Sequence, residues 1–526
     1  MGNWKVDWLK VVMMSLMVMY GFGIYQPSLK AKWWIIDDHE IIAYLGEDQK
    51  VGWKEIPQLL LKSELGAIGK SERCRPSYWG LRFSEMALWG AKPEFWYWSR
   101  LIMLVAAMWG SWELLCQFLP RSASLLIVFY TYSRSYWADI IFRLGPSEIY
   151  SLTFLVATLL LGVLIMKKIW WGLQVRAWEW WVWMLVFILA VGSKENMIFL
   201  TPLPLVMGGW AWKKGRVTKS MIITLGLAWG FGLVVVWGIV SGAVIGGRDV
   251  YSQSTNLGSR LSLLLSGLKS LGSVKAFMIP TVISMGWLAI VTREKREKII
   301  GGLVGFCLVG FYLFQYIFYN GILPTGIRYD FPALLVVPAM LSWLVYLIYI
   351  DGKYFINQRM LEGITTMGLL ILVIVNNNGV FLRRMAEENL ARTQNFTSII
   401  NQATKDLNNG KEDTVVIESR GLIDVEPAES VSRFLIANGV KDKIFLRLVG
   451  FDDMKVADSW GGEIKEYMKN ASEKGKPGAF QPLAKMSPEL KKYCLGLSSQ
   501  TLGADCVKGV IVTSNQTNYI LGGNKK

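Results

Sequence analysis

The stretch SEIYSLTFLVATLLLGVLIMKK, residues 147–168, decides how this chain is to be read. From Ile149 to Met166 it holds no charged side chain, and it leaves on Lys167 and Lys168. A helix needs about 20 predominantly apolar residues to cross a bilayer, within a range of roughly 17–25. Working outward on that ruler, comparable segments lie near 8–26, 99–118, 122–138, 178–193, 196–212, 218–243, 276–292, 298–319, 330–350 and 360–376. With 147–166 they make about eleven spans, so the expected fold is a polytopic α-helical membrane protein.

Composition agrees. Hydrophobic residues make up 52% of the 526 positions and charged residues only 18%, against about 25% in soluble domains. The 25 Trp and 20 Tyr suit rings lying at headgroup level, because they flank the apolar runs. A net charge of +16 together with so many aromatics would also fit a nucleic-acid platform, but position argues otherwise. The basic residues gather in short loops: Lys167, Lys168 and Arg176; Lys213, Lys214, Arg216 and Lys219; Arg293, Lys295, Arg296 and Lys298. These fall between every second pair of apolar runs, which is the positive-inside pattern. The charge therefore records topology, and no nucleic-acid partner is expected. This puts the N-terminus in the cytoplasm and the C-terminus outside, across a plasma (inner) membrane. Leu9 to Ile24 lacks a small-residue cleavage site and reads as a retained signal anchor.

Residues 1–376 thus form the transmembrane domain, with a long first outer loop at 27–98 in which 53–62 reads as an amphipathic surface helix. From 377 to 526 the hydropathy falls to that of a soluble, extracytoplasmic α/β domain. Thr414 to Glu418 and Lys443 to Leu448 read as strands, Pro427 to Asn438 as a helix closed by Gly439, and 509–513 with 518–521 as a closing hairpin. No glycine-rich phosphate loop follows the first strand. The five Cys lack metal-ligand spacing, and an outward location would let Cys494 and Cys506 form a disulfide.

The same topology sorts the ionisable residues by side. The tetrad Asp37-Asp38-His39-Glu40 follows Trp33-Trp34-Ile35-Ile36 where the first segment leaves the bilayer. Arg134, Asp139, Arg143, Glu148, Lys194, Glu195, Arg248, Asp249, Arg328 and Asp330 fall at outer ends of other spans. Charged groups are costly at membrane depth, so several helices presenting them at one face mark an outward-facing site. Asp37 and Glu40 would share a helix face with Asp38 turned aside. Such a carboxylate can take a proton from an acceptor hydroxyl, or hold a divalent cation through oxygen ligands. A solvated helix start would account for the same residues, and His39 reads first as a packing or surface residue. Lys194-Glu195 is either a self-satisfied ion pair at a turn or part of the site. Glu148, next to Pro146 at a helix start, suits the helix dipole as well as a function. Arg328 can snorkel to headgroups or grip a phosphate, which a guanidinium fork matches well.

Four features together resemble the GT-C superfamily of membrane glycosyltransferases, in particular the bacterial branch related to protein O-mannosyltransferases and lipid A aminoarabinose transferases. They are Asp37-Asp38 in the first outer loop, Gly145-Pro146-Ser147-Glu148 opening an early span, Ser193-Lys194-Glu195 at a turn, and Arg328-Tyr329 with Pro332 at a late span. The resemblance covers roughly residues 1–350, with Asp37-Asp38 where the mannosyltransferases carry Asp-Glu. It implies a sugar donor on a polyprenyl phosphate and a lipid, glycan or protein acceptor. Asp37 would be the general base of an inverting displacement, with Asp38 beside it. Arg328 and Lys194 would hold the departing phosphate. Glu148, Glu195, Glu40 and Tyr329 would hold sugar or acceptor. A Mg2+ or Mn2+ ion would fall to Asp37, Asp38 and Glu148. The rivals are an outer-face glycan polymerase or ligase and, from another class, a lipid-linked-glycan flippase. The flippase would show inverted repeats and broken helices, and neither is visible.

Overall fold

The computed structural model describes residues 7–35, 37–45, 49–63, 65, 74–245, 275–292, 294–318, 328, 331–352, 354–410, 414–419, 425–440, 444–448, 481–482, 492–496 and 507–510. Its first half runs α1 (Trp8–Tyr25), α2 (Asp38–Leu45), α3 (Ile56–Lys62), α4 (Pro76–Trp89), α5 (Pro93–Leu115), α6 (Arg121–Tyr132), α7 (Ala138–Ile141), α8 (Glu148–Trp170), α9 (Ala177–Val191), α10 (Leu203–Lys213) and α11 (Lys219–Ile245). The second half has α12 (Lys275–Ile290), α13 (Lys295–Phe318), α14 (Val336–Gly352), α15 (Gln358–Asn376), α16 (Gly379–Asn408) and α17 (Val425–Ala437). Every expected span contains a helix. Five helical segments among the described residues are long and apolar enough to cross a membrane: Trp8–Lys30, Glu148–Trp170, Lys219–Ser241, Ala333–Gly352 and Gln358–Asn408.

Two spans are shorter than their apolar runs, for local reasons. The run at 196–212 is divided into a 3-10 turn, Glu195–Leu200, and the 11-residue α10, because Pro202 and Pro204 lack the amide a continuous helix would need. The run at 122–138 stops at Tyr132 and re-forms as a 3-10 turn, Ser135–Trp137, followed by α7. That break turns Asp139 and Arg143 back toward the site.

The bundle packs around α5, α8 and α9. A side chain on Gly110 of α5 would fall 2.7 Å from Val156 Cγ1 of α8, so the helices meet at a backbone with no Cβ to separate them. The long segment between α1 and α5 does more than lie on the surface. The short α3 covers part of the expected amphipathic stretch, while α4 buries Trp79, Phe83 and Met86 in the main core.

Beyond Asn376 the chain forms the 30-residue α16, which runs back along the start of the protein. Thr393 Oγ1 accepts the Lys32 amide at 3.0 Å, and Arg383 Nη1 donates to the Gly23 carbonyl at 3.1 Å. After it come β1 (Thr414–Ser419), α17, β2 (Ile444–Leu448), β3 (Gln481–Pro482), β4 (Lys492–Gly496) and β5 (Val507–Val510). They form one parallel sheet in the order β3-β2-β1-β4-β5. The β1-α17-β2 unit matches the expected strand, helix and strand. β5 pairs in parallel with β4, and 511–513 and 518–521 of the expected hairpin lie outside the described residues. Cys506 also lies outside them, and with it the expected disulfide to Cys494.

Candidate functional site

Asp37 has a φ of +68°, the left-handed region that Asp tolerates better than most residues. This kink lets the Asp37 carbonyl accept the Glu40 amide at 3.2 Å as α2 begins. It also presses the Asp37 side chain onto Gly145, where a Cβ would overlap the Asp37 Cβ. The glycine of Gly145-Pro146-Ser147-Glu148 is therefore what admits Asp37 to the loop between α7 and α8.

In that position Asp37 Oδ2 accepts from two guanidiniums, Arg143 Nη2 at 2.8 Å and Arg328 Nη1 at 2.8 Å. Asp139 completes the group, with Oδ1 2.7 Å from Arg143 Nη1 and Oδ2 3.7 Å from Arg328 Nε. Two carboxylates thus face two guanidiniums, drawn from the loop after α1, from α7 and the loop that follows it, and from the approach to α14. Burial alone would raise the Asp37 carboxyl, but Arg328 and then Arg143 outweigh it and hold it well below the usual carboxylate range. Asp139 is lowered as well, its burial outweighed by Arg143 and then Arg328. The Asp37 side chain keeps a quarter of its surface exposed (25%), while Arg143, Asp139 and Arg328 are nearly buried.

Asp38 sits differently. It is fully buried, and its Oδ2 accepts the Trp34 amide at 2.7 Å. Desolvation pushes its carboxyl up to about 7, against the lowering effect of that hydrogen bond. His39 is buried beside it, and Glu40, partly exposed on the first turn of α2, acts electrostatically on the Tyr78 phenol.

The Ser193-Lys194-Glu195 turn does not pair with itself. Lys194 Nζ reaches Glu148 Oε1 at 2.6 Å, with both side chains buried, and Glu195 Oε1 lies 3.5 Å from Arg75 Nε. Lys194 Nζ also lies 3.5 Å from the Arg328 carbonyl, and Asn196 Nδ2 donates to the Phe331 carbonyl at 2.7 Å. The turn therefore supports the segment that delivers Arg328. Tyr329, which follows it, lies outside the described residues.

A second polar network, not anticipated from the sequence, holds the other side of the loop. Arg82 donates to the Leu144 carbonyl, and the Tyr78 hydroxyl donates to the Gly145 carbonyl at 2.9 Å. Arg100 grips Glu85 with two bonds, at 2.9 and 3.1 Å, and reaches Tyr150 Oη at 2.5 Å. Arg82 and Glu85 sit one helical turn apart on α4, in a loop whose tryptophans and lysines pointed to a surface helix. Only their three-residue spacing hinted at a buried face.

The carboxylates expected to bind a divalent cation are committed elsewhere. Asp37 faces two guanidiniums, Asp38 a backbone amide and Glu148 an ammonium. No group of three or more acidic, His or Cys side chains among the described residues is arranged to hold a metal. This donor set does not fit a divalent cation.

No protein-family model matches this chain, and no curated protein matches it. Among solved structures it is similar to the archaeal oligosaccharyltransferase AglB from Archaeoglobus fulgidus, determined with an inhibitory peptide and a dolichol-phosphate. The TM-score is 0.41 at 10% identity, over 83% of this chain. This chain spans 64% of the length of that one.

Proposed function

We propose that this protein is an integral-membrane glycosyltransferase of the GT-C type, moving a sugar from a polyprenyl-phosphate donor to an acceptor hydroxyl. The observation that carries the reading is the contact of Asp37 with Arg143 and Arg328 at the outer ends of several helices. A general base and two phosphate-binding groups occupy one place there, and at rest, with Asp139, their charges balance.

The donor's phosphate is a competing anion for both arginines, and a guanidinium fork matches two of its oxygens. As it engages Arg328 and Arg143, it takes over the partners that hold Asp37 low. The released carboxylate then gains proton affinity and sits within reach of an acceptor hydroxyl. The acceptor oxygen attacks the anomeric carbon as its proton passes to Asp37. The bond from that carbon to the phosphate oxygen breaks, the electron pair leaves with the polyprenyl phosphate, and the configuration inverts. Arg328 and Arg143 stabilise the developing phosphate charge. Lys194, with Glu148, keeps Arg328 in place and adds positive charge nearby. Asp38 holds the entry to α2, and Glu40, Glu195 and Tyr329 are left to sugar and acceptor.

The acceptor is assigned to a cleft bordered by residues that flank Asp37 in the chain. A cleft of about 180 Å³ lies between α2, α16 and α17, bordered by Trp33, Phe396, Gln49, Asn401 and Asn438. Aromatic faces with neutral amides suit an uncharged polar acceptor such as a glycan. The orientation that puts this face outside a plasma membrane, and a bacterial cell-envelope setting, belong to the same reading. The test is transfer in proteoliposomes from a panel of synthetic polyprenyl-phosphate sugars, with and without divalent cation. One active donor, working with chelator present, supports the reading; inactivity with every donor and acceptor rejects it.

A further inference from the structure

About 20–30 Å from Glu148, toward the other end of α8, lies a cavity of about 290 Å³ that the proposed chemistry does not use. It sits between α8 and α9 and has a graded polarity. Leu161 and Ile165 line its inner part, while Lys167 and Lys168 border it toward the end of α8. Leu161 is six residues before Lys167, about 9 Å deeper along the helix. Leu164 and Val182 stay exposed on the rim, facing the surface that lipid would cover.

The charge at the mouth is only partly answered within the protein. Lys168 pairs with Glu179. Lys167 Nζ instead meets two neutral oxygens of Gln117, the carbonyl at 2.7 Å and the side-chain amide at 3.1 Å. Lys214, which does not line the cavity, lies with its Nζ over the rings of Trp170, at the end of α8, and Trp210, at 4.2 and 5.6 Å, with those rings stacked on each other. Among the described residues neither Lys167 nor Lys214 lies in an ion pair with a carboxylate. Apolar depth beneath unneutralised ammonium groups at headgroup level is the complement of an anionic amphiphile.

We infer that this cavity binds one anionic glycerophospholipid of the leaflet facing the basic loops, with its phosphate at Lys167 and an acyl chain along Leu161, Leu164 and Val182. The lipid would brace the α8–α9 pair, whose opposite ends carry Glu148 and Lys194. The inference concerns stability and stands apart from the proposed transfer reaction.

The test is thermal unfolding of the detergent-purified full chain with added phosphatidylglycerol, phosphatidylcholine or polyprenyl phosphate. Phosphatidylglycerol should raise the midpoint by about 3 °C and phosphatidylcholine should not. Lys167→Ala should remove the rise, and so should Leu164→Trp, which fills the cavity without changing charge. Lys219→Ala, in the same basic region but outside the cavity, should keep it. An equal rise with phosphatidylcholine, or one that survives both cavity variants, would overturn the inference. Loss of the rise in Lys219→Ala would reduce it to general surface charge, and a response to polyprenyl phosphate alone would reject the phospholipid.

Discussion

Arg328 Nη1 donates to Asp37 Oδ2 at 2.8 Å, joining two residues 291 positions apart in the chain. The contact brings the proposed base against the proposed phosphate anchor, and Arg143 repeats it from another loop. An anionic donor entering this site must take Arg328 from Asp37, so binding the donor and freeing the base become one event.

Arg328→Lys keeps the charge and loses the fork. It should raise the donor KM by roughly 10-fold and lower turnover, since an ammonium cannot present paired donors to two phosphate oxygens. Steady-state transfer against donor concentration checks this. An unchanged donor KM would remove Arg328 from the phosphate site.

Gly145→Ala puts a methyl group where the Asp37 Cβ lies. A displacement of about 1 Å at a reacting group costs on the order of 100-fold. The loss should appear in turnover at saturating donor, with α-helical content retained by circular dichroism. A wild-type rate would show that the approach of Asp37 to the α7–α8 loop is not needed.

Asp38 sets a pH dependence of stability. Its folded-state carboxyl is raised to about 7 from an ordinary value of 3.8. Its contribution is therefore complete below that ordinary value and is lost as pH rises through about 7. The unfolding midpoint should fall between pH 5 and pH 8, and Asp38→Asn should flatten that slope. A slope unchanged by the substitution would contradict the burial argument.

Glu148→Gln leaves the Lys194 ammonium without its buried carboxylate and should destabilise the fold by about 3 kcal/mol. Adding Lys194→Met should recover part of the loss, because the second change removes the stranded charge. Thermal unfolding of the single and double variants distinguishes a structural pair from two independent site residues.

The helical membrane architecture was legible because apolar runs and basic loops are local properties of the chain. So was the β1-α17-β2 unit, whose alternation and closing Gly439 are local too. Asp37, Asp139, Arg143 and Arg328 were legible as charges near the ends of apolar runs, but their pairing was not. Lys194 and Glu195, adjacent in sequence, turn to different partners because the 3-10 turn after Lys194 separates their side chains. Arg82, Glu85 and Arg100 escaped notice because their burial depends on α4 packing inward, a tertiary fact without a strong period. The role of Gly145 appears only once Asp37 is seen against it.

The most direct test of the account measures donor affinity and transfer together in Asp37→Asn. If Asp37 competes with the donor phosphate for Arg328 and then serves as the base, the variant should bind a polyprenyl-phosphate sugar as tightly as wild type or tighter. Its transfer should fall by roughly 1,000-fold or more. Retained transfer, or weakened donor binding in a folded variant, would contradict it.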